Sequence, residues 1–268
     1  MRLWLIKKMF SLINSNSVGK HMSLSFYSKV KYIPLSDKPN LLGEDAWFIT
    51  PIGIGIADGI GGWSMVNIDS GLYSRKLMSN AEQYIMETKS RDPSKILKAA
   101  YNSMDEIVGT TTVCILTLHG NILRAANIGD SGFVHFRFIG ANWEILCHSR
   151  EQQHYFNCPK QLGTDSGDMP EHADIYEYEI LSGDIIVLAT DGIWDNIFDY
   201  RIVEILMRNH PINVAKLEEI VWEITDAALK TSIDKTVETP FSLGAQSNRI
   251  PYSGGKKDDI CCVVSLIN

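Results

Sequence analysis

The sequence predicts an α+β fold, two packed antiparallel β-sheets flanked by α-helices, and three observations carry that prediction. Short strand-like runs separated by Gly, Asn and Asp turns follow one another from residue 110 to 149, the pattern of a meander. Helix-like stretches come in pairs between blocks of strands and do not alternate with single strands. A length of 268 residues with 45% hydrophobic and 21% charged composition suits one large globular domain.

Taken in order, residues 1–36 read as an N-terminal extension and residues 37–268 as the domain. The extension holds six of the 25 basic residues and none of the 32 acidic ones, which leaves 19 against 32, a formal −13, for the remainder. Leu3, Ile6, Phe10 and Ile13 recur at helical spacing with lysines and serines between them, the character of an organelle-targeting segment, and mitochondrial delivery is the expectation. After the opening strands, "IDSGLYSRKLMSNAEQYIMETK" and "DPSKILKAAYNSMDEIV" predict two amphipathic helices, the second started by Asp92 and Pro93. The meander is "TTTVCILTLHGN", "ILRAANIGDSG", "FVHFRFIGAN" and "WEILCHS". "DIYEYEI" alternates, "GDIIVLATDG" is continuously apolar, two helices follow in "DYRIVEILMRN" and "NVAKLEEIVWEITDAALKTSI", and "DDICCVVSLI" closes the chain. A polar loop is expected from Asp234 to Lys257, where Arg249, Lys256 and Lys257 are placed to offset an acidic rim or attract a phosphate.

Composition excludes several classes. No run of 18 apolar residues exists, so no membrane-inserted helix is expected, and the acidic body disfavours nucleic acid as a partner. The five cysteines form an odd set without a Cys-x-x-Cys pair, and Cys114, Cys261 and Cys262 sit in apolar runs as small hydrophobes, which fits a reducing compartment.

The chemistry is written at strand ends. In "PIGIGIADGIGGW", Ile52, Ile54 and Ile56 share one face under a period of two, and Asp58 falls in phase with them, so its carboxylate points toward the core side. A buried, unpaired carboxylate costs several kcal/mol or more, so Asp58 requires a cation or good donors. Asp191 in "LATDGIW" repeats the pattern, while Glu44 and Asp45 in "GEDAWFIT" and Asp258 and Asp259 in "KKDDICCVV" stand where strands begin. If entering and exiting strands are antiparallel neighbours, all these acids share one edge, which like charges cannot do without a counter-ion. Oxygen ligands without His or Cys at metal spacing select Mg²⁺ or Mn²⁺, and the surplus of carboxylates suggests two ions. Asp130 in "NIGDSG" is a further strand-to-turn acid, and His148 and His154 read as lone surface or capping histidines.

"GEDA", "GIADGIGGW", "GTTTVCIL", "NIGDSG", "QQHYFNCPKQLG", "LATDGIWDN", "PFSL" and "GGKKDDICCVV" together resemble the metal-dependent (PPM, or type 2C) serine/threonine protein phosphatases, over roughly residues 37–268. The Asp-Gly-Ile-Gly-Gly-Trp form and the "HYFN" stretch resemble its branch of small, mostly mitochondrial and plastid members, the T-cell-activation-phosphatase-like proteins. The resemblance implies that Asp58 bridges two Mn²⁺ or Mg²⁺ ions, that the Gly59 carbonyl, Asp191, Asp258 and Asp45 are further metal ligands, and that Asp58, Asp45 and Asp191 form the catalytic set. It implies that Glu44 and Asp259 act from a second shell and that Asp130 sits near a third, weaker ion. A hydroxide bridging the metals would attack a phosphoserine or phosphothreonine of a phosphoprotein substrate, with the chain acting as a monomer. Two positions depart from the pattern: Ile60 stands where larger relatives carry His, and Lys38 stands in for a phosphate-binding Arg. The alternatives are a pseudophosphatase binding module, which usually lacks metal aspartates, and a two-metal hydrolase of small phosphate esters.

Overall fold

Alternation of apolar residues decides which face of each strand is buried, and here it builds four layers. The structure, a computed structural model, describes residues 23–35 and 42–268. The chain begins with β1 (Phe26–Ile33) and the hairpin β2 (Asp45–Thr50) and β3 (Gly53–Asp58), then a 3-10 turn at Gly61–Val66, α1 (Ser70–Thr88) and α2 (Pro93–Asn102). The short β4 (Thr110–Thr111) leads into the meander β5 (Val113–His119), β6 (Ile122–Ile128), β7 (Gly132–Ile139) and β8 (Asn142–His148). Three short strands, β9 (Gln153–Tyr155), β10 (Cys158–Pro159) and β11 (Leu162–Gly163), precede β12 (Asp174–Glu179) and β13 (Ile185–Ala189). Helices α3 (Asp191–Trp194), α4 (Asp199–Arg208), α5 (Leu217–Ile233) and α6 (Pro240–Ser247) are followed by β14 (Ile260–Ile267).

Two five-stranded sheets result, ordered β1-β14-β13-β7-β8 and β12-β6-β5-β3-β2, with antiparallel neighbours throughout. Ile54, Ile56, Cys114 and Leu116 of one sheet meet Phe133, Ile186, Leu188 and Val263 of the other, forming the inner layer. The second face of the β2–β3 sheet, including Phe48 and Ile115, packs on Leu77, Ile85, Ile96 and Leu97 of α1 and α2. Val134, Val187 and Val264 pack outward on Ile205, Leu206, Ile220 and Ile224 of α4 and α5. Strand β13 is covered on both faces, which is why its sequence runs apolar without alternating. Asp92 caps α2 as expected, accepting from the Ser94 and Lys95 backbone N–H groups.

Three boundaries differ from the sequence reading. The stretch expected as an extension contributes β1, whose eight residues all pair with β14, and Phe26 is a core residue. Its basic residues misdirected the reading because they project to the other face, where Lys31 Nζ lies 3.3 Å from the Trp222 ring centroid and Lys29 is 3.5 Å from Glu218. The expected targeting pattern at Leu3–Ile13 lies outside the described residues. Helix α2 stops at Asn102, with Asp105 in a left-handed conformation just beyond. The expected loop 234–257 contains α6, whose first turn is capped by the Thr239 hydroxyl on Ser242 N–H with Pro240 at the start. Among the described residues, no helix is long and apolar enough to cross a membrane. All five cysteines are free thiols, and burial pushes those of Cys114 and Cys262 upward.

The sheet edge far from the acidic strand ends is tied by Asp184, which is buried at the start of β13. Its carboxylate accepts from Arg137 Nε at 2.8 Å, Arg137 Nη2 at 2.7 Å and Leu181 N at 2.8 Å, and lies 2.8 Å from His135 Nε2. Burial alone would raise its pKa, but the bonds from Arg137 and His135 outweigh it and hold the carboxyl below its ordinary value. A depressed folded pKa contributes stability that is present above the unfolded value near 4 and is lost as pH falls through the folded one. Asp184→Ala is expected to cost about 3 kcal/mol at pH 7 in urea unfolding, the scale for opening a buried pair, with the difference from wild type shrinking below about pH 4. A pH-independent difference would mean that the charge contributes nothing.

Candidate metal centre

Antiparallel pairing brings the acidic strand ends together. Asp45 at the start of β2 stands directly opposite Asp58 at the end of β3. In the other sheet Ala189 of β13 pairs with Cys262 of β14, which sets Asp191 just past one strand and Asp258 and Asp259 just before its neighbour. Strand β6 ends and β7 begins at this same end, so the crossing turn between the sheets delivers Asp130 as well. The two sheets are joined here by the Thr190 hydroxyl, which donates to Asp45 Oδ2 at 2.9 Å. The parity argument for Asp58 holds, since Ile54 and Ile56 on its face lie between the sheets.

Backbone approach explains two of the glycines. A Cβ on Gly59 would fall 2.8 Å from the Ser70 backbone and 3.0 Å from the Glu44 carbonyl oxygen, and one on Gly192 would fall 2.0 Å from the Asp259 carbonyl oxygen. Gly59 N–H donates to that Glu44 carbonyl at 3.1 Å, and the Asp58 carbonyl accepts from Thr112 N–H and the Thr111 hydroxyl. A Cβ on Gly62 would meet nothing nearer than 4.0 Å, so close packing does not demand that glycine.

Asp259 and Glu44 act as braces. The Asp259 carboxylate accepts from the Tyr32 hydroxyl at 3.1 Å and from the Leu35 and Glu44 backbone N–H groups at 2.6 Å each, fixing the backbone that enters β2. The Glu44 carboxylate accepts from the Ser70 hydroxyl at 2.9 Å at the start of α1. Lys38, expected to bind phosphate, lies outside the described residues. Ile60 offers its backbone N–H to the Thr110 carbonyl and has no side-chain proton to give.

The carboxylates strain one another. Burial first, then the charges of Asp45, Asp191, Asp258 and Asp130, push the Asp58 carboxyl well above the usual range. Asp45 is pushed up by burial and by Asp259 and Asp258, and Asp130 by burial and Asp191. Asp195, one helical turn after Asp191, is pushed up to about 8 by burial and the Asp191 charge against the pull of Lys256. The buried Oδ1 atoms of Asp45 and Asp130 have no hydrogen-bond partner. Among the described residues no group of three His, Cys, Asp or Glu side chains is already drawn together as a metal cage; the aspartates lie near enough for their charges to act on one another. An all-oxygen, charge-strained lining with buried acceptors left open fits hard divalent cations.

Sequence reasoning missed Thr190 and Asp195, although both lie within the quoted "LATDGIWDN". Lys256 was expected on the rim; its Nζ instead lies 2.5 Å from Asp191 Oδ2 and 2.7 Å from Asp195 Oδ2. His154 is not a lone histidine: its Nε2 lies 2.8 Å from buried Asp168 in a recess of about 450 Å³ shared with Trp63, Thr110 and Gln161. The Trp63 indole donates to the Thr110 hydroxyl at 2.7 Å, linking that recess to the turn after Asp58.

Known proteins are similar to this chain in sequence and in fold. The chain is 37% identical over 241 residues to "Probable protein phosphatase 2C 55" of Arabidopsis thaliana, covering 88% of this chain and 50% of that protein. It is 35% identical over 248 residues to "Protein phosphatase PTC7 homolog fig" of Drosophila mojavensis, covering 84% of this chain and 78% of that one. The chain belongs to the PPM, or type 2C, protein phosphatase family. Its place within the family is the PTC7-like branch. The chain spans about half the length of the first of these PPM relatives. Among solved structures it superposes with a TM-score of 0.81 on the photosystem II phosphatase PBCP, at 29% identity over 91% of this chain and 99% of that one. The catalytic domain of PstP, solved in complex with two manganese ions, shares the PPM fold at a TM-score of 0.65 and 16% identity, over 91% of this chain and 99% of that one. No family model matches the chain.

The PPM cleft depends on α3 seating against the entry to β14. Gly192→Ala is therefore expected to destabilise the protein by about 3 kcal/mol, since the new methyl can be relieved only by moving backbone. A thermal melt within a degree of wild type would show that α3 is free to shift.

Proposed function

We propose that this protein is a metal-dependent protein serine/threonine phosphatase working through a binuclear Mn²⁺ or Mg²⁺ centre. The observation that carries the reading is the convergence of Asp45, Asp58, Asp191 and Asp258 from two sheets at one end of the strands, near enough for their charges to act on Asp58, with Asp45 and Asp58 in direct register. Asp45, Asp58, Asp191, Asp258 and the Gly59 carbonyl would hold the ions. When bound, the ions would supply Lewis-acid activation of water and neutralise charge on the phosphoryl group. The chain's own part is orientation: Thr190 holds one oxygen of Asp45, leaving the other to the cleft, and Asp259 fixes the backbone on which Glu44 and Asp45 ride. Ile60 cannot protonate a leaving serine or threonine alkoxide, so that proton comes from water.

The filled aspartate positions weigh against a pseudophosphatase. The same relatives, all named protein phosphatases, favour a phosphoprotein over a small ester as substrate. The helical spacing of Leu3, Ile6, Phe10 and Ile13 among basic residues, with no acid near them in the sequence, supports delivery to mitochondria. That location is withdrawn if residues 1–36 leave a fused fluorescent reporter in the cytosol.

Asp58→Asn tests the centre. An amide supplies one neutral oxygen where the carboxylate supplied two charged ones. Mn²⁺ affinity by calorimetry and turnover of phosphoserine and phosphothreonine peptides are expected to fall together, turnover by at least ~10³-fold. The metal-free fold should persist by circular dichroism, because the change relieves repulsion at the cleft. Normal metal-dependent hydrolysis by the variant would reduce Asp58 to a turn residue and end the two-metal reading.

A further inference from the structure

Lys256 lies inside the acidic cleft, and several contacts hold it there. Its Nζ lies 2.5 Å from Asp191 Oδ2, 2.7 Å from Asp195 Oδ2 and 3.6 Å from Asp258 Oδ2, so the three acids on this side share one positive centre. Its backbone is clamped at both polar groups by the buried Asn196 side chain, whose Oδ1 accepts the Lys256 N–H and whose Nδ2 donates to the Lys256 carbonyl, each at 2.9 Å. The preceding turn is held as well. Gly255 N–H donates to the Asp234 carbonyl, the Thr239 hydroxyl donates to the Gly254 carbonyl, and a Cβ on Gly255 would fall 2.1 Å from the Thr231 carbonyl oxygen. Helix α6 closes the circle, with Phe241 N–H on the Asp195 carbonyl and the Phe241 ring centroid 5.2 Å from Nζ. A lysine on a solvated face has neither a fixed backbone nor a fixed head group, and such a charge contributes little. Here most of the ordering of the side chain is achieved by the fold.

Asp130 adds to the demand for a cation on this side, since it is buried with Oδ1 lacking a hydrogen-bond partner. The acids at Asp130, Asp191 and Asp195 would otherwise form an oxygen-only set open to a further divalent ion. We propose that the Lys256 ammonium is a built-in cation of the centre, standing among Asp191, Asp195 and Asp258 in place of a third metal ion, so that the cleft takes up two ions and no more. The inference rests on the two-metal reading and deepens it, assigning one side of the cleft to the chain's own charge.

The test counts ions. Wild-type protein titrated with Mn²⁺ and measured by equilibrium dialysis and native mass spectrometry should bind two ions, Lys256→Met should bind a third more weakly, and Lys256→Arg should return to two. Metal-free Lys256→Met should melt about 5–10 °C below wild type, since uncompensated acids remain, and regain that difference as the third ion binds. Three ions on the wild-type protein overturn the proposal, as does a Lys256→Met protein that still holds two with an unchanged metal titration of its melting point. Wild-type protein that binds no ion overturns the two-metal reading and this proposal with it. Should Lys256→Met fail to fold, the wild-type and Lys256→Arg counts decide alone.

Discussion

Mutual repulsion among carboxylates gathered at one end of two sheets is the constraint to which the rest of the structure answers. Asp45, Asp58 and Asp130 are each pushed upward first by burial and then by neighbouring aspartates, Asp259 and Asp258 for Asp45, Asp45 and Asp191 for Asp58, and Asp191 for Asp130. No arrangement of these acids alone is favourable in a low-dielectric cleft. The fold tolerates them because the adjoining layers are apolar on both faces of both sheets, and because donors and a fixed cation are supplied at chosen oxygens. A site that repels itself is also a site poised to take up positive charge, so the instability and the proposed chemistry have one origin.

Strand geometry converts that constraint into a location. An antiparallel pair places the exit of one strand beside the entry of the next, and both sheets do this at the same end. The Asp45–Asp58 register also fixes which way the carboxylates face. A slip by one residue would send Asp58 to the side of α1 and α2 and bring Ala57 between the sheets. The large inner-layer residues Ile54, Ile56 and Leu116 guard against that slip, so inter-sheet packing supports the site's geometry as well as the stability.

Much of this was legible in the sequence wherever the signal was local. Period two in β3 and the Asp92–Pro93 helix start each act over a few residues, and both appear in the structure where they were expected. What escaped acts over distance or through faces. Strand β1 carries its lysines on the side toward α5, and only the packed helix shows that they are not part of a basic arm. Lys256 reads in sequence as a charge next to acids; Asn196 and Phe241, from separate segments, turn it inward. Asp184, Arg137 and His135 are neighbours only because β7 and β13 pair. The Asp191–Asp195 relation was available from helical spacing and required recognising that a single turn of helix follows the Asp-Gly.

The braces around the cleft divide into two kinds, and the division explains how a strained site stays ordered. Asp259 and Asn196 act on backbone: one holds the N–H groups of Leu35 and Glu44, the other both polar groups of Lys256. They set where the acid-bearing segments run. Thr190 and Lys256 act on side-chain oxygens, and each takes one oxygen of a carboxylate, Oδ2 of Asp45 and Oδ2 of Asp191 and Asp195. Because Asp45 Oδ1 and Asp130 Oδ1 are left without donors, the direction of the remaining negative charge is fixed before any ligand arrives. Pre-orientation of this kind lowers the reorganisation required on binding.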